Sequence, residues 1–200
     1  MRTRSAHAAL AIGTAIALGA QVAGAVQYKV DVEHTTAGFK VRHLFTSVTG
    51  RFDRFDGTID FDPARPEQTR VAGTIDATSI NTNNPDRDKH LRSKDFFDVE
   101  HFPKITFTST GVSDLDAGKQ KGRMQGTLTI HGVARPVTLD VAFLGAGKDP
   151  YGNQRAGFTA TTTVNRKDFG LTWNETLETG GLLVGDEVAI ELSVEGIIPE

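Results

Sequence analysis

Apolar and polar residues alternate with a period of two along most of this chain. That constrains it more than any other feature, because a period of two sets one face of an extended strand in a core and the other in water. Tyr28, Val30 and Val32 alternate with Lys29, Asp31 and Glu33, and Phe39 and Val41 with Lys40 and Arg42. Phe55, Gly57, Ile59 and Phe61 share a face, as do Val71, Gly73, Ile75 and Ala77. The pattern returns at Ile105 and Phe107, at Met124 to Ile130, at Val137 to Phe143, at Phe158 to Val164 and at Val188 to Val194. These make about nine strand candidates at hairpin spacing. One-sided burial is the mark of antiparallel sheet, and no segments remain for the crossover helices that a parallel sheet needs.

Turn residues separate the runs: Asp62-Pro63, Asp116-Ala117-Gly118, His131-Gly132 and Asp149-Pro150-Tyr151-Gly152. One segment, from Asn84 to Asp95, breaks the pattern. It has a capping residue, proline at the first helical position, acids in the first turn and bases toward its end. It predicts one short polar helix with Leu91 as its inward contact.

The expected fold is therefore all-β: one antiparallel barrel of about eight strands, with the short helix covering an end. Closure removes the exposed edges of a long twisted sheet. At about eight strands the interior either fills with side chains or holds one small ligand. Gly57, Gly73, Ala77, Gly126, Ala160 and Thr162 are small inward positions mixed with phenylalanine. A tapered solid interior and a tunnel lined with aromatic edges both satisfy that mixture. The 12 Phe against 2 Tyr and 1 Trp suit a dry interior, since phenylalanine has no polar handle.

The first residues read as a leader. Arg2 and Arg4 precede an apolar run from Ala8 to Ala20, and Ala23-Gly24-Ala25 fits a small-x-small cleavage site. Residues 1–25 are thus expected to be a cleaved signal peptide and 26–200 the single domain. The apolar run is too short to span a bilayer comfortably, so no stable membrane insertion is expected. There is no cysteine, hence no disulfide and no lipid-modified N-terminal thiol. The expected compartment is a bacterial periplasm, with release outside the cell as the alternative. Loss of the leader takes the formal charge from −3 to −5, which argues against a nucleic-acid partner.

Particular blocks carry a family resemblance. They are Tyr28 to Thr35 with Phe39 to Leu44, Gly50 to Gly57, Ser79 to Thr82, Arg87 to Asp98, Phe102-Pro103, Gly126 to Val133, and Arg166-Lys167-Asp168-Phe169-Gly170. Together they resemble the YceI family of lipocalin-like, polyisoprenoid-binding periplasmic proteins, almost end to end; Thr35 stands where the family usually has serine. The resemblance implies an extended barrel of about eight strands with a helical cover. It also implies a deep apolar tunnel for an isoprenoid or fatty chain, such as a polyprenyl phosphate, a quinone tail or another long-chain lipid. At about 0.3 kcal/mol per atom, a forty-carbon tail would bind with roughly 12 kcal/mol, an affinity set by length and shape more than by headgroup. No cofactor is implied, and a monomer and a homodimer are both compatible.

On this reading Phe39, Phe55, Phe61, Phe107, Leu128, Phe143 and Phe158 face the tunnel. His34, Arg87, Arg92 and Trp173 are assigned to its mouth. No catalytic or metal-ligating set is assigned. His34, His43, His90, His101 and His131 are scattered, with no pair at ligand spacing on one element. There is no nucleophile elbow. Asp88 and Asp95 read as partners of Arg87, Arg92 and Lys94 on a solvated face, and Arg87-Asp88 alternatively as an anchor of the helix to the rim. Gly180-Gly181 reads as a barrel corner or flexible rim. The competing functions are a lipid- or quinone-modifying enzyme and a ligand-free stress-response barrel with a packed interior.

Overall fold

The computed structural model describes residues 24–116, 118, 120–176 and 182–198. Most of the expected leader and Gly180-Gly181 lie outside the described residues. Eight long antiparallel strands run up and down in chain order and close into a barrel. Three of them are each broken into two segments: β1 (Val26–Val30) with β2 (Thr36–His43), β3 (Thr46–Phe52) with β4 (Phe55–Phe61), and β5 (Arg70–Asp76) with β6 (Ile80–Asn81). The other five are continuous: β7 (Lys104–Asp116), β8 (Lys121–Ile130), β9 (Val133–Lys148), β10 (Gln154–Asn165) and β11 (Val184–Ile197). β11 closes the ring, pairing with β10 on one edge. On the other edge it pairs with β2 through Val188↔Val41 and with β1 through Val30↔Gly196.

The breaks explain where the alternation misled. The first two strand candidates are one strand, interrupted at 31–35, and β3 had no strong apolar alternation to reveal it. The breaks line up across the sheet and are held by their own hydrogen bonds. Asp53 N donates to Ser79 O, Asp76 N to Arg54 O, and Arg54 N to the Ser79 hydroxyl. Arg54 spans the fold line to the Asp76 carboxylate at 2.8 Å. Such bonds give backbone groups partners where the ladder is interrupted.

The helix forms as expected, as α1 (Pro85–Arg92), with Asn84 accepting a hydrogen bond from Arg87 N and proline in the first turn. Among the described residues no helix is long and apolar enough to cross a membrane. The helix belongs to the long connection between β6 and β7, which lies over one end of the barrel. Phe96, Phe169 and Leu171 from the connections there join Phe52, Ile80, Ile105, Leu128 and Ile130 in the larger core cluster. At the opposite end lie the β7–β8 and β9–β10 connections and the longer one between β4 and β5. A smaller core of Tyr28, Ile59, Phe61 and Ala156, with Phe143 and Phe158 against it, fills one side of that end.

Asp88 departs from the solvated-face expectation. It is 8% exposed, and its carboxylate accepts from both the backbone N–H and the hydroxyl of Thr82. Arg87 donates to the Thr82 hydroxyl at 2.7 Å and to its carbonyl at 2.8 Å. The dipeptide is the anchor of the helix to the rim. A buried carboxylate needs such partners, and the Thr82 amide supplies one. Asp95 lies outside and meets His90 at 3.1 Å.

Candidate ligand cavity

Between the two core clusters lies a cavity of about 530 Å³, within the roughly 300–1,000 Å³ common for small-molecule sites. All seven residues assigned to a tunnel, Phe39, Phe55, Phe61, Phe107, Leu128, Phe143 and Phe158, are on its wall. Inward alternation brings them together from six different strands. Phe61, Phe143 and Phe158 form a triad with ring centroids 4.9, 5.2 and 5.5 Å apart, in the tilted and edge-on arrangements that aromatic quadrupoles favour.

The inward glycines resolve the choice between a solid interior and a hollow one. A Cβ placed on Gly50 or Gly126 would collide with the ring of Phe39 or Phe107 respectively, and on Gly126 also with Thr108 O at 2.7 Å. In each case the far edge of the ring occupies the place that a side chain on a glycine of the neighbouring strand would take. Gly57 and Gly73 face each other across β4 and β5, and a Cβ on Gly73 would meet nothing closer than Asp56 O at 3.8 Å. At Gly73 space is left where a side chain would otherwise stand, whereas a Cβ on Gly57 would meet Ala72 O at 2.9 Å. Gly126→Val is expected to force Phe107 off the wall and destabilise the fold by about 1–3 kcal/mol, the usual cost of overpacking. Urea denaturation checks this, and unchanged stability would show that the ring is not fixed there.

The four residues assigned to the mouth lie off this wall. His34 is exposed and bonds the Asp31 carboxylate at 2.9 Å. Arg87 is held by Thr82, and Arg92 reaches toward the carbonyls of Thr78 and Ile80 at 3.5 and 3.3 Å. Trp173 packs on His90 and Phe96, with centroids 4.8 and 5.1 Å away. The helix end, where sequence placed the mouth, is the covered one. The cavity reaches solvent at the other end, where exposed Pro63, Leu115, Asp116, Gln120 and Lys121 line it. Leu115 is 42% exposed and stands over Gly122.

Sequence reasoning also passed over Arg166, which lines the inner end of the cavity and is only 4% exposed. The signal was present: Phe158, Ala160, Thr162 and Val164 are the inward positions of β10, and two residues on comes Arg166. Its guanidinium donates to the carbonyls of Gly185, Leu171 and Trp173. Burial pushes its pKa down from the ordinary arginine value, with nearby Asp186 opposing.

A second polar cluster sits outside the cavity. Arg155 bonds Asp149, Asp31 and Glu195 together. The hydrogen bond from Arg155 is the main reason that Asp31 titrates at about 2, with His34 and the Glu33 amide assisting against partial burial. Asp149 is held well below the usual carboxylate range by Arg155 and Asn153. Asp31, His34 and Glu195 offer ligand atoms within 4.8 Å of one another, a grouping the scattered histidines did not suggest. Arg155 Nη1 already binds both carboxylates, so a guanidinium is the cation of this cluster.

A closed antiparallel barrel around an apolar hollow, capped by a short helix, defines the lipocalin-like class of fold. Within that class the chain belongs to the YceI-like domain family, whose sequence model matches residues 28–196. A UPF0312 protein of Pseudomonas putida (strain W619) is 40% identical over 197 residues, covering 97% of both chains. The structure of Burkholderia cenocepacia BcnA superposes with a TM-score of 0.73 at 27% identity, over 83% of this chain and 98% of that one. A Campylobacter jejuni YCEI protein does so at 0.66 and 34%, over 76% and 86%. A polyisoprenoid-binding domain from Saccharophagus degradans shares the fold, with a TM-score of 0.61 at 19% identity over 86% and 98%.

Proposed function

We propose that this protein, exported to the periplasm by a leader cleaved after Ala25, holds a long isoprenoid or other apolar chain inside its barrel for transport, storage or sequestration. The observation that carries the reading is the hollow itself: a cavity of about 530 Å³ walled by phenylalanines and aliphatic side chains. Burial of each methylene there is worth roughly 0.8 kcal/mol. The polyisoprenoid-binding domain of Saccharophagus degradans supports an isoprenoid as one such chain. Binding without chemistry is the preferred reading. The buried side chain with most hydrogen-bonding capacity on the wall, Arg166, is engaged by backbone carbonyls in the manner of an anchor, not an acid or base.

Organic extraction of the purified protein followed by mass spectrometry tests this. The expected result is a co-purifying long-chain lipid in amounts approaching one per chain. Protein that carries none, and takes none up after delipidation, would leave a ligand-free barrel. Turnover of the extracted lipid by pure protein would restore the enzyme reading.

A further inference from the structure

The geometry points to an inward headgroup: the lipid sits with an anionic oxygen, carboxylate or phosphate, on Arg166 at the covered end and its chain running toward the rim that Leu115 and Lys121 line. This rests on the lipid-binding reading and adds an orientation and a ligand class to it.

Four charged residues line the cavity: Asp56, Asp116, Lys121 and Arg166. The first three are exposed and only Arg166 is buried. A guanidinium has five N–H donors. Among the described residues those of Arg166 meet four acceptors: Gly185 O at 2.9 Å, Leu171 O, Trp173 O at 2.8 Å, and Asp186 at 3.3 Å. The last is long for a charge-assisted bond, and the other oxygen of Asp186 takes Lys167 Nζ at 2.8 Å. Arg166, Lys167 and Asp186 together carry one formal positive charge, and the Arg166 guanidinium has one more N–H than these acceptors use. The Coulomb attraction of a buried cation for an anion is stronger than that of the same pair in water, and the desolvation of both charges opposes it. The carbonyls fix the guanidinium in place, so an incoming headgroup need not order it.

Trp173, the only tryptophan of the chain, provides the reading. Its carbonyl binds Arg166, and its ring packs on Phe96, which lines the same end of the cavity. Stearate carrying a nitroxide near its carboxyl end is expected to quench Trp173 fluorescence strongly, and stearate labelled near its methyl end weakly. In a separate binding measurement, palmitate should bind about tenfold to a hundredfold more tightly than cetyl alcohol, as a charge-assisted hydrogen bond predicts. Arg166→Met should remove that preference, so that palmitate and cetyl alcohol bind the variant with the same affinity. If this variant fails to fold, the order of quenching in the natural protein still decides. Binding with equal or reversed quenching overturns the inward headgroup and leaves the lipid reading standing. Failure of every chain to bind overturns both.

Discussion

Gly73→Trp is expected to lose lipid loading by about a hundredfold while melting at the same temperature as the natural protein or above it. Gly73 lies on β5 between Gly57 of β4 and Phe107 of β7, on the inner wall. A Cβ there would stand in ordinary contact at most, with Asp56 O at 3.8 Å, and beyond it is hollow. The indole would fill space now open to a ligand. Displacing three or four methylenes at roughly 0.8 kcal/mol each amounts to about 3 kcal/mol, or two orders of magnitude in affinity. The fold should not suffer, because glycine inside a strand is entropically costly and an aromatic residue favours the sheet. Gly147→Trp is the control. Gly147 lies on β9, exposed, with no atom within 4 Å of an added Cβ, and it does not line the cavity. Uptake of a fluorescent fatty acid and thermal denaturation measure the two effects. Full loading in a folded Gly73→Trp protein would mean that the ligand sits elsewhere.

The inner wall was legible in sequence because it depends on strand parity alone. Seven residues chosen by alternation came together on one surface without any knowledge of strand order. The same parity extended two residues past Val164 would have reached Arg166. What parity cannot supply is the third dimension along the barrel axis. Trp173 and Arg92 follow or precede strands in the chain, so they read as rim residues. Whether a rim is open depends on how much side-chain bulk its connections bring. The connections after β6 and β10 bring Phe96, Phe97, Phe169 and Leu171 and cover their end. At the other end the cavity opens beside exposed Leu115. The broken strands were hidden for a related reason. The interruption at 31–35 reads as a turn between two short strands, and only the pairing of both segments with β11 shows one strand bending. The burial of Asp88 is hidden in sequence because helical polarity suggests solvent, while the partner that justifies it, Thr82, lies outside the helix; the anchoring role of Arg87-Asp88 is legible.

Replacing Arg155 with methionine should damage the fold more than any other single change outside the core, and the damage should depend on pH. At one end of the edge that closes the barrel, β11 meets β1 over only two paired positions, Lys29↔Ile197 and Val30↔Gly196. Arg155, on β10, ties together three carboxylates around this short seam. Asp31 follows β1, Glu195 is on β11, and Asp149 is in the β9–β10 hairpin. His34 faces the same group through Asp31. In the natural protein Asp31 titrates at about 2 in the folded state, against about 3.9 in an unfolded chain. A depressed carboxylate contributes stability above its unfolded value and loses it as pH falls through the folded one. The natural protein should therefore weaken between about pH 4 and pH 2. Without Arg155 the three carboxylates repel one another, their affinity for protons rises, and the sign reverses: mild acid should stabilise the variant. At neutral pH the loss should lower the melting temperature by about 5–10 °C, and the gap should narrow steadily toward pH 3. Arg155→Lys keeps the charge but not the planar fork that serves three partners, so it should fall between the two. Thermal melts across this range, followed by circular dichroism, decide the matter. A gap that stays constant with pH would mean that Arg155 holds the seam by packing and not by charge.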